Sequence, residues 1–275
     1  MHGTWLRALC TAAMLLAAFA GAPAGASPDA GTSPEPVQRA RLPGGEFIPV
    51  LRPTPPPGPS SVRVAAFELD RLPVSNAEFL LFVRAHPEWR RDRVPSLLAD
   101  SGYLAHWSEP DALGAQALPA QPVTQVSWFA ARAYCEARGE RLPDWYEWEY
   151  AAAADERLAD ARAQPGWRSR ILDWYARPAT APLASVGQQA ADVHGVQDLH
   201  GLIWEWVEDF GALTVSGDSR SQGDPDRVAF CGGGAATVQD RENYPMLMRV
   251  ALLSSLEGRS TGRLLGFRCA ASVSP

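Results

Sequence analysis

The chain has 275 residues, with 25 basic and 31 acidic side chains and a formal net charge of −6. This acidic balance argues against the basic surface that binds nucleic acid, and we expect no nucleic-acid partner. Every basic residue is an arginine, so Schiff-base catalysis and a Walker-type phosphate site, which both need lysine, are excluded. Hydrophobic residues make up 46% of the chain, which is enough for a folded core.

The first 26 residues have the parts of a secretory signal peptide. Arg7 precedes an apolar run over about residues 8–22, and small residues stand before Ser27. The run is shorter than the ~20 residues that a membrane-spanning helix needs, and no second run follows. Cleavage near Ala26 is therefore predicted, with export to the periplasm and no transmembrane segment in the mature form.

The mature part is predicted to contain a short linker and one folded domain. Residues 27–40 are rich in Ser, Pro, Ala and Gly, and such a composition cannot bury enough apolar surface to fold. We predict a disordered linker over these residues and a single domain over residues 41–275.

The domain begins with two predicted strands. Alternating apolar and polar residues indicate strands at Gly45–Val50 and Val62–Leu69. They flank the proline-rich residues 53–59, so the two strands could pair across an exposed loop.

Three amphipathic helices are predicted from the residues that cap their N-termini. Ser75 precedes the first helix, and Glu78 completes a capping box. Ser127 opens the second helix, and Asp144 opens the third with Glu147 as its capping-box partner. No clear helix is predicted beyond residue 165.

Seven motifs follow one another along the domain. They are Pro43–Phe47, Pro73–Phe79, Pro122–Trp128, Ala133–Ala152, Gly195–Trp206, Gly232–Gly234 and Gly266–Ala270. In order and spacing, from about residue 41 to 272, they resemble the sulfatase-modifying-factor family, whose founding members are the formylglycine-generating enzymes. The resemblance implies a single α+β domain with an irregular, loop-rich, C-type-lectin-like fold. Some motif residues could equally be buried structural groups, namely Trp148, Glu149, Trp204 and Trp206.

Three cysteines remain once the signal peptide is removed: Cys135, Cys231 and Cys269. The resemblance implies a disulfide between Cys135 and Cys269, which an oxidising compartment permits. Closing so long a loop contributes roughly 4–5 kcal/mol in the chain-entropy model. The alternative is a pair of reduced, buried cysteines. Cys231 is left as a free thiol, either buried and inert or reactive.

The resemblance also indicates which metals to expect. Formylglycine-generating enzymes bind copper(I) through two cysteines between the glycine run and the final Gly-Phe-Arg, and soft thiolates are the ligands that copper(I) selects. Residues 232–268 of this chain contain no cysteine. Copper is therefore not expected, and neither is formylglycine synthesis by that mechanism.

A calcium site is a second metal prediction from the resemblance. The family's Asn in Gly-Asn-x-Trp-Glu-Trp is replaced here by Leu202, whereas Asp192 stands for the Asn of an upstream Asn-x-x-Gly and keeps an oxygen ligand. With Asp192, three acidic residues form the candidate calcium ligands: Glu205, Glu208 and Asp209. The alternative is a solvated acidic edge or a set of helix caps.

Two classes of function remain. Loss of the copper cysteines favours an exported accessory or regulatory protein that binds a partner protein, a glycan or an envelope component, as the resemblance to some exported family members implies. The alternative is a periplasmic maturation enzyme, similar to the family members that tailor the pyoverdine chromophore, acting on a small peptide-derived substrate. In that case Glu205 or Asp240 would be the general base and Arg249 would hold an anion. Arg249 could instead belong to a structural ion-pair network.

Overall fold

The computed structural model describes residues 38–50, 61–178, 182–211 and 244–273. The predicted signal peptide, most of the predicted linker, Cys231, Asp240 and the glycine run therefore lie outside the described residues.

The described residues form short strands and helices joined by long loops. The strands are β1 (Arg39–Leu42), β2 (Gly45–Phe47), β3 (Val62–Val64), β4 (Phe67–Asp70), β5 (Trp204–Glu205), β6 (Leu265–Gly266) and β7 (Ala270–Ser272). The helices are α1 (Asn76–Ala85), α2 (Trp128–Ala137), α3 (Trp145–Ala152), α4 (Pro165–Tyr175) and α5 (Tyr244–Ser254), with a 3₁₀ turn at Pro87–Trp89. This is the irregular α+β architecture that the sequence predicts. None of the described helices is long and apolar enough to span a bilayer.

Three small sheets organise the strands. Strand β4 lies between β1 and β7, and both pairings are antiparallel. Strands β2 and β3 form an antiparallel pair, and β5 and β6 form a parallel one. The residues at 265–272 thus complete two of the three sheets.

The strand predictions are confirmed in part. The pairing of β2 with β3 confirms the predicted hairpin across the proline-rich residues. The second predicted strand is divided, because the chain leaves the hairpin at Ala65 and Ala66 and re-enters a different sheet as β4.

The predicted linker extends too far. Residues 39 and 40 belong to β1, where Ala40 is buried and Arg39 is exposed. The alternation Arg-Ala-Arg-Leu over residues 39–42 is the pattern of a half-buried strand, so the ordered chain begins before residue 41.

The three predicted helices are present with their predicted caps. The Ser75 hydroxyl accepts from the Glu78 amide, and Glu78 bonds back to the Ser75 amide. Asp144 and Glu147 make the same reciprocal pair at α3, and Ser127 accepts from Ala130 at α2. These caps satisfy amides that a helix leaves unpaired.

The prediction of no helix beyond residue 165 is wrong. Helix α4 starts at Pro165, a favoured first residue, but buries only Trp167 and Ile171, so its apolar stripe is weak. Helix α5 is rich in apolar residues, and it buries Met246, Arg249 and Leu253 at the spacing of one helical face.

The predicted disulfide is confirmed. Cys135 of α2 and Cys269, which precedes β7, have sulfurs 2.03 Å apart and Cα atoms 5.6 Å apart. Both residues are fully buried in the core. The bond joins segments that are 134 residues apart in sequence.

Candidate functional site

A fully buried ion pair lies at the centre of the molecule. The Arg268 guanidinium donates to both carboxylate oxygens of Glu205, at 2.9–3.1 Å, and neither side chain is exposed. The Trp148 indole donates to Glu205 Oε2 at 2.8 Å. The Glu205 carboxylate is therefore held from two directions by protein donors.

Arg268 also binds backbone from distant segments. Its Nη1 donates to the carbonyls of Asp70 and Arg71 at 3.0 and 3.1 Å, and its Nη2 donates to the carbonyl of Gln197 at 2.9 Å. A planar guanidinium with five donors can serve several acceptors at once. Arg268 thus connects the end of β4, the loop before β5 and Glu205.

The backbones of β5 and β6 lie close together, and this places Glu205 beside Arg268. Gly266 pairs with Glu205 in the parallel ladder of β5 and β6. A Cβ on Gly266 would lie 2.2 Å from the Val123 carbonyl oxygen and 2.8 Å from Cδ1 of Ile203. Only glycine therefore fits at this position without a shift of the backbone.

Arg249 lies beside this pair. The residue is 2% exposed, its Nη2 donates to the Glu205 carbonyl, and its guanidinium carbon lies 3.5 Å from the Trp148 ring centroid. Burial lowers the Arg249 pKa to about 10. The stacking on tryptophan is a cation–π contact that partly compensates for the lost hydration.

The structure brings two of the three candidate catalytic residues together, but in the interior. Glu205 and Arg249 are neighbours, yet both are buried and bound to protein groups. Asp240 lies outside the described residues. The structure therefore favours a structural role for Arg249, which binds the Glu205 carbonyl and stacks on Trp148, over an open anion site.

The candidate calcium ligands do not converge. Glu205 is bound by Arg268, the Asp209 carboxylate accepts from the Trp145 amide, and Asp192 Oδ1 accepts from the His194 and Val196 amides. The fourth candidate is Glu208, which faces Arg132 at 3.3 Å. No three of these four carboxylates have oxygens within 4.8 Å of one another. A calcium ion held by all four at once does not fit this geometry.

Among the described residues, one group of three side chains of metal-binding type does have its ligand atoms within this distance of one another. It contains Asp70, Glu140 and Cys269. The Cys269 sulfur is in the disulfide, and Arg138 binds both carboxylates, at 3.2 Å to Asp70 and 2.9 Å to Glu140. These contacts account for the cluster as an internal ion-pair network.

Glu149 is a second buried carboxylate in this region. Its oxygens accept from the Val50 amide at 2.6 Å and the Trp145 indole at 2.9 Å, and the Arg162 guanidinium lies 3.6 Å away. Complete burial raises the Glu149 pKa from 4.5 to about 7, against the opposing effect of these donors.

Glu149 is expected to make stability depend on pH. Because the folded pKa exceeds the unfolded value, the contribution of Glu149 is fully present below about pH 4.5 and is lost as the pH rises through about 7. Glu149→Gln stays neutral, so the variant should gain up to roughly 3 kcal/mol relative to the parent across this range. Urea unfolding at each pH measures the difference, and the exposed Glu257→Gln is the control. A difference that does not change with pH would contradict the prediction.

A cleft of about 510 Å³ opens beside this buried centre. Its walls are α4 and residues 184–202, which include the candidate ligand Asp192. His200 lies at the inner side, where its Nε2 bonds the Ala152 carbonyl at 2.9 Å and burial lowers its pKa to about 4. The imidazole is therefore neutral at physiological pH.

The sequence of this chain matches a known protein family. The family described as the Sulfatase-modifying factor enzyme 1-like domain matches residues 27–273. The chain belongs to this sulfatase-modifying factor family. The resemblance that the sequence motifs indicate is confirmed, together with the single α+β domain that it implies.

Relatives within the sulfatase-modifying factor family differ in their described activities. A formylglycine-generating enzyme of Streptomyces coelicolor is 32% identical over 306 residues, covering 89% of this chain and 94% of that protein. An inactive C-alpha-formylglycine-generating enzyme 2 of Mus musculus is 28% identical, covering 84% of this chain and 85% of that protein. A hercynine oxygenase of Mycolicibacterium smegmatis is 32% identical over 170 residues, which are 53% of this chain and 38% of that protein.

Several important residues of this sulfatase-modifying factor protein are missed by the site prediction. Arg268 stands in the recognised Gly-Phe-Arg-Cys motif, but nothing local indicates that its partner is Glu205, 63 residues earlier. Glu149 and His200 likewise carry no spacing signal. The one clue in the sequence is Glu205, which stands between two tryptophans in the Trp-Glu-Trp motif with no cation beside it. If such a carboxylate is buried, it needs a buried partner from elsewhere in the chain.

Proposed function

We propose that this protein is an exported accessory protein that binds a partner protein or an envelope component and does not make formylglycine. The observation that carries the proposal is the sequestration of Glu205. Both its oxygens accept from Arg268, Oε2 also accepts from the Trp148 indole, and the side chain is fully buried. A general base must reach the proton that it removes, and Glu205 has no open oxygen to do so.

Other features support a binding role. Residues 232–268 contain no cysteine, so the thiolate pair on which copper(I) chemistry would rest is missing. A relative that resembles this chain over 84% of its length is described as inactive. The signal-like first 26 residues and the disulfide of Cys135 with Cys269 favour an oxidising, exported location such as the periplasm.

A tailoring enzyme is the second candidate. The resemblance to hercynine oxygenase over about half of the chain favours it, because that relative is named for an oxidative reaction. Glu205 and Arg249 are engaged internally, so such an enzyme would depend on Asp240 among the three predicted catalytic residues.

Complementation in the native host separates the two candidates. A strain that lacks the gene is expected to be rescued fully by Asp240→Asn, because an accessory protein needs no base at this position. The matched control is Asp111→Asn, which removes a partly exposed carboxylate paired with Arg90. Loss of rescue for Asp240→Asn alone, at equal protein level, would favour the enzyme.

Formylglycine synthesis is tested directly on the purified mature protein. Incubation with a cysteine-containing sulfatase peptide, copper(I) and oxygen is expected to leave the peptide thiol unchanged by mass spectrometry. The Streptomyces coelicolor relative serves as the positive control. An aldehyde product above the protein-free background would contradict the proposal.

A further inference from the structure

The cleft beside α4 is a feature to which nothing above assigns a role. Its volume of about 510 Å³ falls within the range of small-molecule sites, roughly 300–1,000 Å³. Neither the internal ion pair of Glu205 and Arg268 nor the disulfide lines it. The cleft is thus separate from Glu205 and Arg249, the two predicted catalytic residues that the structure describes.

One wall of the cleft is a single face of α4, followed by Arg177 just beyond the end of the helix. Trp167, Arg170, Ile171 and Trp174 line this wall, with the helical spacing that puts residues on one side. Trp167 and Ile171 are buried and form its base. Arg170 and Arg177 are exposed, so charged groups stand at the opening and apolar groups stand below.

Trp174 is the aromatic surface of this wall. It is half-buried, and its ring centroid lies 5.1 Å from that of Trp204 and 5.0 Å from that of Tyr175. Tyr175 in turn stacks on Trp204 at 5.1 Å. These contacts fix the Trp174 ring in one orientation while part of it faces the cleft.

The opposite wall supplies planar polar side chains. Gln188, Gln189 and Asp192 line it. The Gln189 amide lies against Gly201, where a Cβ would be 3.2 Å from Nε2. Asp192 uses Oδ1 for two backbone amides, and its Oδ2 makes no hydrogen bond within the described part of the chain.

The described lining contains more acidic than basic side chains, so an anion is disfavoured. The carboxylates are Asp155, Glu156, Asp173, Asp192 and Asp198, and the cations are Arg170 and Arg177. Three of the carboxylates are partly compensated within the protein, because Asp155 lies 3.9 Å from Arg170 and the carboxylates of Asp192 and Asp198 accept from backbone amides. A ligand without net charge, able to donate and accept hydrogen bonds, suits both walls.

We propose that this cleft binds a neutral oligosaccharide. The apolar face of a sugar ring would pack on Trp174, because its C–H groups match the electron-rich face of an indole ring. The sugar hydroxyls would bond the amide and carboxylate groups of Gln189 and Asp192. The inference rests on the proposed function, since it names a ligand class for an accessory binding protein.

Calorimetric titration of the purified mature protein tests the cleft. The neutral probes are chitotriose, cellotriose and maltotriose, and the charged probes are trigalacturonate and trilysine. At least one neutral trisaccharide is expected to bind saturably and more tightly than either charged probe. Binding of none of the neutral probes, or tighter binding of a charged one, would overturn the proposal.

Variants locate the binding. Trp174→Ala is expected to weaken binding about tenfold, whereas Trp174→Phe should stay within about threefold of the parent. Trp89→Ala removes a half-buried tryptophan away from the cleft and should leave binding unchanged. Gln189→Ala, an exposed change on the other wall, gives a second test that does not depend on the packing of Trp174. Unchanged affinity in both Trp174→Ala and Gln189→Ala would also overturn the proposal.

The two proposals can fail separately. If no sugar binds but Asp240→Asn still rescues the deletion strain, the cleft assignment is wrong and the accessory role stands. If a sugar binds and Asp240→Asn fails to rescue, the cleft assignment stands and the accessory role is wrong.

Discussion

Replacing Arg268 with alanine is expected to lower the free energy of unfolding by about 3–5 kcal/mol. The substitution leaves the Glu205 carboxylate buried with only the Trp148 donor. It also leaves the carbonyls of Asp70, Arg71 and Gln197 without their donor. An uncompensated buried charge is among the most destabilising changes that a core can carry. Urea unfolding followed by circular dichroism measures the loss.

Two further variants check the cause of this effect. Arg268→Lys keeps the charge but lacks the planar fork, so it should recover only part of the stability. Arg259→Ala removes the cation of an exposed pair with Glu257 and should have little effect on stability, because solvent screens such a pair. If Arg268→Ala and Arg259→Ala lowered the free energy of unfolding equally, the buried pair would stabilise the fold no more than an exposed one, and the prediction would be wrong.

Removing the disulfide is expected to have an effect of similar size. The double variant Cys135→Ala/Cys269→Ala frees a loop of 134 residues, and the chain-entropy model assigns about 5 kcal/mol to such a closure. Alanine is preferred to serine because both positions are fully buried and a hydroxyl there would lack a partner.

The same unfolding experiment on oxidised and reduced protein checks this result. Reduction of the parent should reproduce the loss seen in the double variant, and reduction of the double variant should change nothing further. Cys231→Ala is the control, since its thiol takes no part in this bond. A double variant as stable as the oxidised parent would contradict the prediction.

Local signals in the sequence predict the elements whose cause is local. Ser75, Ser127 and Asp144 each satisfy helix amides within three residues, so the caps reveal the three helices. Helix α4 carries no such signal, because the Gln164 side chain at its N-cap makes no hydrogen bond to the helix amides. The division of the predicted strand at Ala65 has no local signature, because it depends on the pairing of β4 with β1 and β7.

The candidate site is predicted less well because its contacts are long-range. The disulfide follows from the family resemblance, but the roles of Glu205 and Arg249 do not. A carboxylate in a Trp-Glu-Trp motif can face solvent or the core. Here it faces the core because Arg268, 63 residues later, binds it there. Acidic residues close in sequence, such as Glu208 and Asp209, turn to different partners because each faces a different element.

The position of Arg268 also sets the order in which the molecule can fold. Its partners include the Asp70 carbonyl, 198 residues earlier, and β7 adds to β4 across a similar separation. Until residues 265–272 have been synthesised, the Glu205 carboxylate lacks the Arg268 guanidinium and Cys135 lacks its disulfide partner Cys269. Contacts of such sequence separation slow folding, so a chain emerging in N-to-C order exposes its unfinished core until the last segment arrives. Such a chain needs protection from aggregation during its synthesis.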